Sequence, residues 1–247
     1  MNYNKNGYLL LDTELSKQIT EIRLKLINVF STISMLNGLG EIDRDDGVIE
    51  LYKGKYRDLW VGAYDQLRYL PEISALAGNE VLLSAARQAG IMKPILASRL
   101  ILRADMPGDD SYDFPLHQDL SYNHGSANSV TLWVPFQDVD SLIGSLIIVP
   151  GSHRDGALPH EQGICLKADL NQSYIEVPPM KVGSILCFSQ LLLHKSGRNI
   201  STDKIRFSVQ IRYNDLADAD FAKRKYHIEK SESSKSLPQI EFDTHIF

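Results

Sequence analysis

The chain of 247 residues is long enough for one large domain, and its 43% hydrophobic and 23% charged residues are typical of a globular protein. Its formal net charge of −5 argues against nucleic acid or an anionic membrane as the main partner, because a phosphate-binding surface needs a basic excess. The two cysteines do not suggest a disulfide framework, and the first residues lack a signal-peptide pattern. The sequence also has no apolar run long enough to span a membrane. We therefore predict a cytoplasmic protein.

The first part of the chain is predicted to be mainly helical. One helix is capped by Asp12 or Thr13 and ends at Asn37-Gly38. It carries an apolar stripe of Leu15, Ile19, Ile22, Leu26, Val29 and Ile33. Pro71 begins a second helix, and Asn79 caps a third that runs towards Gly90. Residues 40–65 have no clear period, so we predict a loop that serves as a lid over a site.

From about residue 95 the pattern changes to strands. Apolar and polar residues alternate over 130–137 and 205–213, which is typical of strands with two different faces. Shorter apolar runs at 96–102, 145–149 and 182–188 are bounded by turn signals such as Pro150-Gly151-Ser152. Helices followed by six or more short strands predict an α+β, mainly β protein in which helices brace a sheet that is closed or folded on itself.

Two segments carry residues suited to metal binding. His117 and Asp119 are two residues apart in Phe114-Pro-Leu-His-Gln-Asp-Leu120, so an extended backbone places both on one face. His194 ends the apolar run Leu191-Leu-Leu193, where a buried polar side chain needs a partner or a function. Two histidines and one carboxylate form the facial triad that holds Fe(II) and leaves positions open. A lone histidine is more often a hydrogen-bonded core or surface residue, so the prediction depends on all three.

Arg206 lies twelve residues after His194, on the polar face of a predicted strand with Ser208. That face either meets solvent or lines the inside of a barrel. In the second case, the guanidinium is suited to bind a ligand carboxylate through two parallel hydrogen bonds. The strand pattern alone does not choose between these interpretations.

Taken together, these segments resemble the phytanoyl-CoA dioxygenase family of Fe(II)- and 2-oxoglutarate-dependent oxygenases. The resemblance extends from Gly7 to about Tyr213. It is carried by His117-Gln-Asp119, Leu132-Trp-Val-Pro-Phe136, Gly144-Ser-Leu-Ile-Ile-Val-Pro-Gly-Ser-His153, His194-Lys-Ser-Gly197 and Arg206. It implies a double-stranded β-helix (jelly roll, cupin-like) core. The predicted organisation is a single oxygenase domain over 1–247, with helical support over 1–95, the jelly roll over 96–213 and a charged tail over 214–247.

The resemblance also implies roles for particular residues. His117, Asp119 and His194 match the iron ligands, which are the catalytic centre. Arg206 matches the arginine that pairs with the far carboxylate of 2-oxoglutarate, and Ser196 matches the hydroxyl that assists it. The positions that match the lining of the cosubstrate pocket are Gln118 and Trp133. Gln118 would point away from the iron in a strictly extended segment, and Trp133 is equally compatible with a core position. For His153 a structural role is expected.

The implied cofactors are Fe(II), 2-oxoglutarate and O₂, with 2-oxoglutarate decarboxylated to succinate while a small-molecule substrate is hydroxylated or further oxidised. Halogenating relatives lack the carboxylate ligand, so Asp119 favours hydroxylation. The substrate is expected to be a small polar metabolite, and Tyr122, Asn123 and His124 either reach the pocket mouth or form a polar surface loop. Two alternatives remain: a zinc-type hydrolase, which leaves Arg206 unexplained, and a non-catalytic cupin-like binding domain. The sequence does not indicate an oligomeric state.

Overall fold

The computed structural model describes residues 2–97, 100–110, 113–121, 123–161, 164–165, 173–227 and 229–230. These residues form seven helices: α1 (Tyr3–Asn6), α2 (Ser16–Leu36), α3 (Asp45–Lys53), α4 (Arg57–Leu67), α5 (Pro71–Ala77), α6 (Glu80–Gln88) and α7 (Ala219–Lys223). They also form thirteen strands: β1 (Tyr8–Asp12), β2 (Pro94–Leu96), β3 (Ile101–Asp105), β4 (Asn123–His124), β5 (Val130–Pro135), β6 (Leu146–Ile148), β7 (His160–Glu161), β8 (Ile164–Cys165), β9 (Ile175–Glu176), β10 (Ser184–Ser189), β11 (His194–Ser196), β12 (Arg206–Asp215) and β13 (Glu229–Lys230).

The three helices predicted from the sequence are present. Helix α2 buries Ile19, Ile22, Leu26 and Phe30 on one stripe, whereas Val29 is only half-buried. The helix itself begins at Ser16, and in the turn before it the side chain of Thr13, one of the two predicted caps, accepts the N–H of Leu15 at 3.2 Å. Helix α5 begins at Pro71 as predicted. The prediction for α6 is also confirmed, since the side chain of Asn79 accepts the N–H of Val81.

The prediction of a loop or lid over residues 40–65 is wrong, because this segment contains α3 and most of α4. Glycines at 47, 54 and 62 weaken the helical signal. The helices form because their apolar faces pack into the main core. The indole ring of Trp60 lies between Phe30, 5.9 Å away, and Tyr64, 4.7 Å away, as measured between ring centroids. A side chain packed in this way belongs to the core rather than to a lid.

The larger sheet has six antiparallel strands with β12 near its centre. Its hydrogen-bonded order is β1-β10-β5-β12-β2, and β3 pairs with another part of β12. Strand β12 therefore contacts β5 along Ser208–Tyr213 and β3 along Arg206–Gln210. Strand β1 is an element that the sequence analysis missed; it pairs with β10 from Tyr8↔Phe188 to Asp12↔Ser184. The predicted run at 96–102 corresponds to the end of β2 and the start of β3.

A smaller antiparallel sheet, in the order β11-β6-β9, faces the larger one. Side chains of both sheets share a hydrophobic cluster, in which Trp133 and Phe188 of the large sheet meet Leu146 and Ile148 of the small one. The opposite face of the large sheet packs against the helices. The predicted α+β, jelly-roll-like architecture is confirmed, but the sheets of the described residues do not close into a barrel.

The remaining expectations concern the cysteines and the end of the chain. Cys187 is buried and free, as predicted. The first two residues of the predicted tail over 214–247 belong to β12, and α7 follows. The first turn of α7 is capped by Asp218, which accepts the N–H of Phe221 at 2.7 Å. Residues 231–247, including Ile246-Phe247, lie outside the described residues. Helices long and apolar enough to cross a membrane do not occur in the described parts of the chain.

Candidate metal centre

One face of β12 is polar and yet buried. The polar residues that alternate along it are Arg206, Ser208, Gln210 and Arg212. Only 2% of Arg206 and 8% of Arg212 is exposed, so this face does not meet bulk water. The structure thereby supports the second interpretation of the sequence: the polar face lines the space between the sheets. Buried guanidinium groups there require acceptor partners.

His117 and His194 lie directly opposite each other in an antiparallel backbone pair. The N–H of each residue donates to the carbonyl of the other, at 3.0 Å in both directions. Side chains of directly opposed residues project from the same face, and the two imidazole centroids are 4.1 Å apart. The pairing is held on one side by Ser152 of the predicted turn, whose Oγ accepts the N–H of Leu193 at 2.9 Å. Backbone pairing therefore brings the two predicted segments together.

Asp119 completes the cluster from the first residue of a 3₁₀ turn, Asp119–Ser121. Its Oδ1 is 3.7 Å from Nε2 of His117 and 4.0 Å from Nε2 of His194. One ligand atom from each of the three residues lies within 4.8 Å of the others, and all three residues are buried. The structure thus brings together the three residues that the sequence predicted as metal ligands.

Backbone carbonyls fix the tautomers of both histidines. Nδ1 of His117 is 2.7 Å from the carbonyl oxygen of Pro115, and Nδ1 of His194 is 2.9 Å from that of Leu192. A carbonyl oxygen only accepts hydrogen bonds, so each Nδ1 carries the proton and each Nε2 presents its lone pair towards Asp119. Outer partners of this kind are the usual way in which proteins orient histidine ligands.

The charges of the cluster also suit a cation. Burial, and then the proximity of His117, lowers the pKa of His194 to about 3, so that its imidazole is neutral at neutral pH. Burial alone would raise the pKa of Asp119, but Arg212, with His117 and His194, holds it well below its usual value. Two neutral imidazoles and one carboxylate are the donor set of a facial transition-metal site. The residues present therefore fit the implied iron.

Arg206 lies at one end of the polar face with its guanidinium largely engaged. Nε donates to Oδ2 of Asp105 at 3.1 Å, and Nη2 lies 3.1 Å from the same oxygen. Nη1 donates to the carbonyls of Gly144 and Gly197, the latter at 2.8 Å. Asp105, Gly144, Gly197 and Arg206 form what we call the Arg206 cluster. A ligand carboxylate that uses two arms of this guanidinium must displace Asp105.

Steric crowding explains why the Arg206 cluster has glycine at positions 144 and 197. A Cβ at Gly144, where φ is +78°, would lie 2.1 Å from the carbonyl oxygen of Arg198. A Cβ at Gly197 would lie 2.0 Å from that of Ser145. The absence of side chains lets the two loops approach until both carbonyls reach Nη1 of Arg206. Next to this cluster in sequence, Ser145 and Ser208 have buried hydroxyls without a partner among the described residues. Unpartnered buried hydroxyls suit a polar ligand.

The other predicted site residues occupy different surroundings. Ser196 is half-buried on β11, two residues after His194. Trp133 is buried in the cluster between the sheets. The amide of Gln118 donates to the carbonyls of Gly156 at 2.9 Å and Leu191 at 2.7 Å, and it accepts the N–H of Leu158 at 2.8 Å. It therefore ties loops together. The pocket roles of these residues stay predictions.

His153 has the expected structural contact, since its Nε2 is 3.2 Å from the carbonyl oxygen of Asn4. Tyr122 and the side chains of Asn123 and His124, predicted for the pocket mouth or for a polar surface loop, lie outside the described residues.

Three residues at the site, Arg212, Thr131 and Asp105, were missed by the sequence analysis. Arg212 places Nε 3.1 Å from Oδ2 and Nη2 2.7 Å from Oδ1 of Asp119, and the hydroxyl of Thr131 donates to the same carboxylate. Period-two alternation put Arg212 on the same strand face as Arg206, which was the available signal. The sequence contained no signal for Asp105, because its pairing with Arg206 depends on the register of β3 against β12.

Comparison with known proteins agrees with this geometry. The sequence model of the phytanoyl-CoA dioxygenase (PhyH) family matches residues 3–208. Peroxisomal phytanoyl-CoA dioxygenase of Bos taurus is 31% identical over 115 residues, which cover 41% of this chain and 34% of that relative. The 1-deoxypentalenic acid 11-beta-hydroxylase of Streptomyces exfoliatus is 29% identical over 118 residues, covering 42% of each chain. The match to the bovine relative thus spans about a third of its length.

Solved structures share the fold at low sequence identity. EctD from S. alaskensis, with 2-oxoglutarate and 5-hydroxyectoine, aligns with a TM-score of 0.57 at 19% identity, over 87% of this chain and 74% of that one. The non-heme alpha ketoglutarate dependent carbocyclase SnoK aligns with a TM-score of 0.52 at 20% identity, over 90% and 87% of the two chains. At such identities the likeness concerns the fold alone.

Proposed function

Because the chain belongs to the phytanoyl-CoA dioxygenase family, we propose that it is a non-haem Fe(II)- and 2-oxoglutarate-dependent dioxygenase that hydroxylates a small polar metabolite. The observation that carries the proposal is the buried cluster of His117, Asp119 and His194, with Nε2 of both imidazoles directed at one carboxylate. We further propose that residues 1–247 act as one domain, without nucleic acid or membrane as a partner.

In the proposed enzyme, Nε2 of His117, Nε2 of His194 and an oxygen of Asp119 hold Fe(II). The bound metal, with 2-oxoglutarate and O₂, supplies the oxidising chemistry, and 2-oxoglutarate leaves as succinate and CO₂. The protein has to keep the three donors in place before the metal arrives. Hydrogen bonds from Nδ1 to Pro115 and Leu192 do this for the imidazoles, and Thr131 does it for the carboxylate.

The far carboxylate of 2-oxoglutarate is assigned to the Arg206 cluster, with Ser196 as an assisting hydroxyl. Arg206 bonds to the carbonyl of Gly197, three residues after His194 along the extended chain. Three extended residues span about 10 Å, which suits a five-carbon diacid that reaches from the metal to the guanidinium. The unpartnered hydroxyl of Ser208 adds a donor on the same face.

The wall of the site is suited to excluding water. Phe188 packs on the ring of His194 with centroids 4.6 Å apart, and Leu192 and Trp133 are buried in the same cluster. A dry wall beside the metal strengthens the electrostatic interactions inside and limits side reactions. The presence of Asp119 as a third ligand supports hydroxylation, or a further oxidation, as the outcome.

The proposal is tested with protein purified without oxygen and supplied with Fe(II). Adding 2-oxoglutarate should produce a weak visible absorption band, and admitting air should produce slow succinate formation even without substrate. His117→Ala and Asp119→Ala should abolish both signals. His227→Ala is the matched control, because this histidine is exposed and lies outside the cluster.

The same assay separates the alternatives. A zinc-type hydrolase would bind Zn(II) at the same residues without the band or succinate. A non-catalytic binding domain would bind 2-oxoglutarate or another ligand without consuming it. Wild-type protein that retains Fe(II) but gives neither band nor succinate would refute the proposed function.

A further inference from the structure

The guanidinium of Arg212 lies beside the metal cluster, well apart from the Arg206 cluster. Nε and Nη2 of Arg212 hold the two oxygens of Asp119, at 3.1 and 2.7 Å. Arg206 is six residues earlier on the same strand, which places the two Cα atoms about 20 Å apart. Arg206 contacts Asp105 and loop carbonyls instead. Two separate buried guanidinium groups therefore line one interior face.

Arg212 retains donors that the protein does not use. Nη2 also donates to Oε1 of Gln210 at 2.9 Å, whereas Nη1 bonds to no described residue. The amide nitrogen of Gln210 likewise has no partner among the described residues, because its oxygen is the atom turned towards Arg212. More than nine-tenths of Arg212 is buried. Gln210 is half-buried, and neither nitrogen is fully enclosed by the described residues, so both can be reached by a ligand that accepts hydrogen bonds.

The balance of charge points to an anion. Two buried arginines, Arg206 and Arg212, and the partly exposed Arg103 share two carboxylates, Asp105 and Asp119. At the rim, Arg198 lies 2.9 Å from Asp110 and 3.4 Å from Asp113. A divalent cation on Asp119 adds two positive charges, and the dianion 2-oxoglutarate removes two. Only one of its two carboxylates binds at the metal end, so Arg212, the cation, Asp119 and that carboxylate together keep one positive charge next to the place where the substrate has to bind.

We propose that Nη1 of Arg212 and the amide nitrogen of Gln210 form an anion subsite beside the metal centre that binds a carboxylate group of the substrate. The identification of the bound acid as a substrate rests on the proposed function, whereas the subsite itself is inferred from the hydrogen-bond donors and charges of this chain. A carboxylate is favoured, because its two oxygens can accept from the unused arm of the guanidinium and from the neighbouring amide. The substrate class is then a small organic acid rather than a neutral metabolite.

The test compares acids with their primary amides. Protein loaded with Ni(II) and 2-oxoglutarate, which does not turn over, is titrated calorimetrically with acetate and acetamide, benzoate and benzamide, and hexanoate and hexanamide. Each amide matches the shape of its acid but lacks the charge. We expect at least one acid to bind about tenfold more tightly than its amide, as a charge-assisted hydrogen bond allows. The preference should shrink in metal-free protein, because the cation adds positive charge.

Substitutions of Arg212 and Gln210 test whether these residues cause the preference for acids over amides. Arg212→Gln should remove it while Ni(II) still binds, and Gln210→Leu should reduce it. Arg212→Lys keeps a positive charge beside Asp119, so it serves as the variant that should still fold if Arg212→Gln does not. It should retain a smaller preference for acids over amides. An acid that simply coordinates the metal would keep its advantage in Arg212→Gln, and that result would overturn the proposal. So would equal binding of every acid and amide by wild-type protein, or no binding of either.

The outcome is independent of the proposed function. Acid preference in the Ni(II)-loaded protein is a binding measurement, so it can hold even if the Fe(II) protein forms no succinate. Conversely, succinate formation without acid preference would leave the dioxygenase in place and reject the subsite. Arg87→Gln, at an exposed arginine that pairs with Glu80, is the matched control and should leave the acid preference unchanged.

Discussion

Asp105 and Arg206 form a buried ion pair in which Oδ2 of Asp105 lies 3.1 Å from both Nε and Nη2 of Arg206. Arg103 holds the other oxygen of the same carboxylate. Arg206 is also the residue assigned to the far carboxylate of 2-oxoglutarate. An internal carboxylate therefore occupies the donors that the cosubstrate needs, and Arg103 is placed to retain Asp105 when Arg206 is engaged elsewhere.

We predict that Asp105→Asn binds 2-oxoglutarate more tightly than wild-type protein, by about tenfold, since removal of one competing charge is worth roughly 1–2 kcal/mol. The variant should also be less stable without cosubstrate, because the buried Arg206 and the partly exposed Arg103 lose a charged partner. Adding 2-oxoglutarate should therefore raise its melting temperature more than that of the wild type.

Asp138→Asn is the control for this prediction, since Asp138 pairs with Lys181 at an exposed position. Weaker cosubstrate binding by Asp105→Asn would mean that Asp105 positions Arg206 for the ligand rather than competing with it.

Arg206→Ala should mainly weaken 2-oxoglutarate binding, by at least tenfold, because the charged donors for its far carboxylate are lost. Binding of Ni(II) should change little, since Arg206 does not contact the three metal ligands. Calorimetric titrations of Ni(II), and then of 2-oxoglutarate, measure the two affinities separately. Arg87→Ala removes an exposed arginine that pairs with Glu80, and serves as the control. An unchanged affinity for 2-oxoglutarate in Arg206→Ala would show that the cosubstrate binds elsewhere.

Gln118 offers a test between a pocket role and a structural role. Its amide makes three hydrogen bonds to backbone groups of Gly156, Leu158 and Leu191. Gln118→Ala should lower the free energy of unfolding by about 3 kcal/mol, at roughly 1 kcal/mol for each bond. The affinity for 2-oxoglutarate should stay within about twofold, measured at a temperature where the variant is folded. Exposed Gln66 supplies the control variant Gln66→Ala. A stable Gln118→Ala with weakened cosubstrate binding would instead support the pocket role.

The sequence predicted what local periodicity and motif spacing determine. Alternation along β12 identified a strand with a polar face, and the His-X-Asp segment with a distant histidine identified three side chains that the structure brings together. Helices α3 and α4 were missed, because glycines weaken their propensity and packing of Trp60 in the core compensates. The partners of Arg206 and Arg212 were not predictable, since they depend on which strands and turns become neighbours in the folded chain.

A last prediction concerns pH and the end of β12. The carboxylate of Asp215 accepts hydrogen bonds from the N–H groups of Met92 and Lys93 and from the side chain of Asn128, and thereby joins the strand to the start of β2. Burial by itself raises the pKa of Asp215, but these bonds outweigh it, and the pKa is lowered in the folded state. The stabilisation is therefore complete above the unfolded pKa, about 3.9, and is lost as the pH falls through the folded value.

Asp215→Asn should consequently be about 2–3 kcal/mol less stable than wild-type protein at neutral pH, as expected for hydrogen bonds to a buried charged group. The difference should begin to narrow below about pH 4, where the unfolded wild-type chain takes up a proton at Asp215, and should vanish once the folded carboxylate is also protonated. Urea unfolding of both proteins at neutral pH and at about pH 3 measures the difference in the free energy of unfolding. Both chains share the other carboxylates, so the difference between variant and wild type does not contain their titration. A difference that stays constant with pH would mean that Asp215 stabilises the junction of β2 and β12 by its shape and not by its charge.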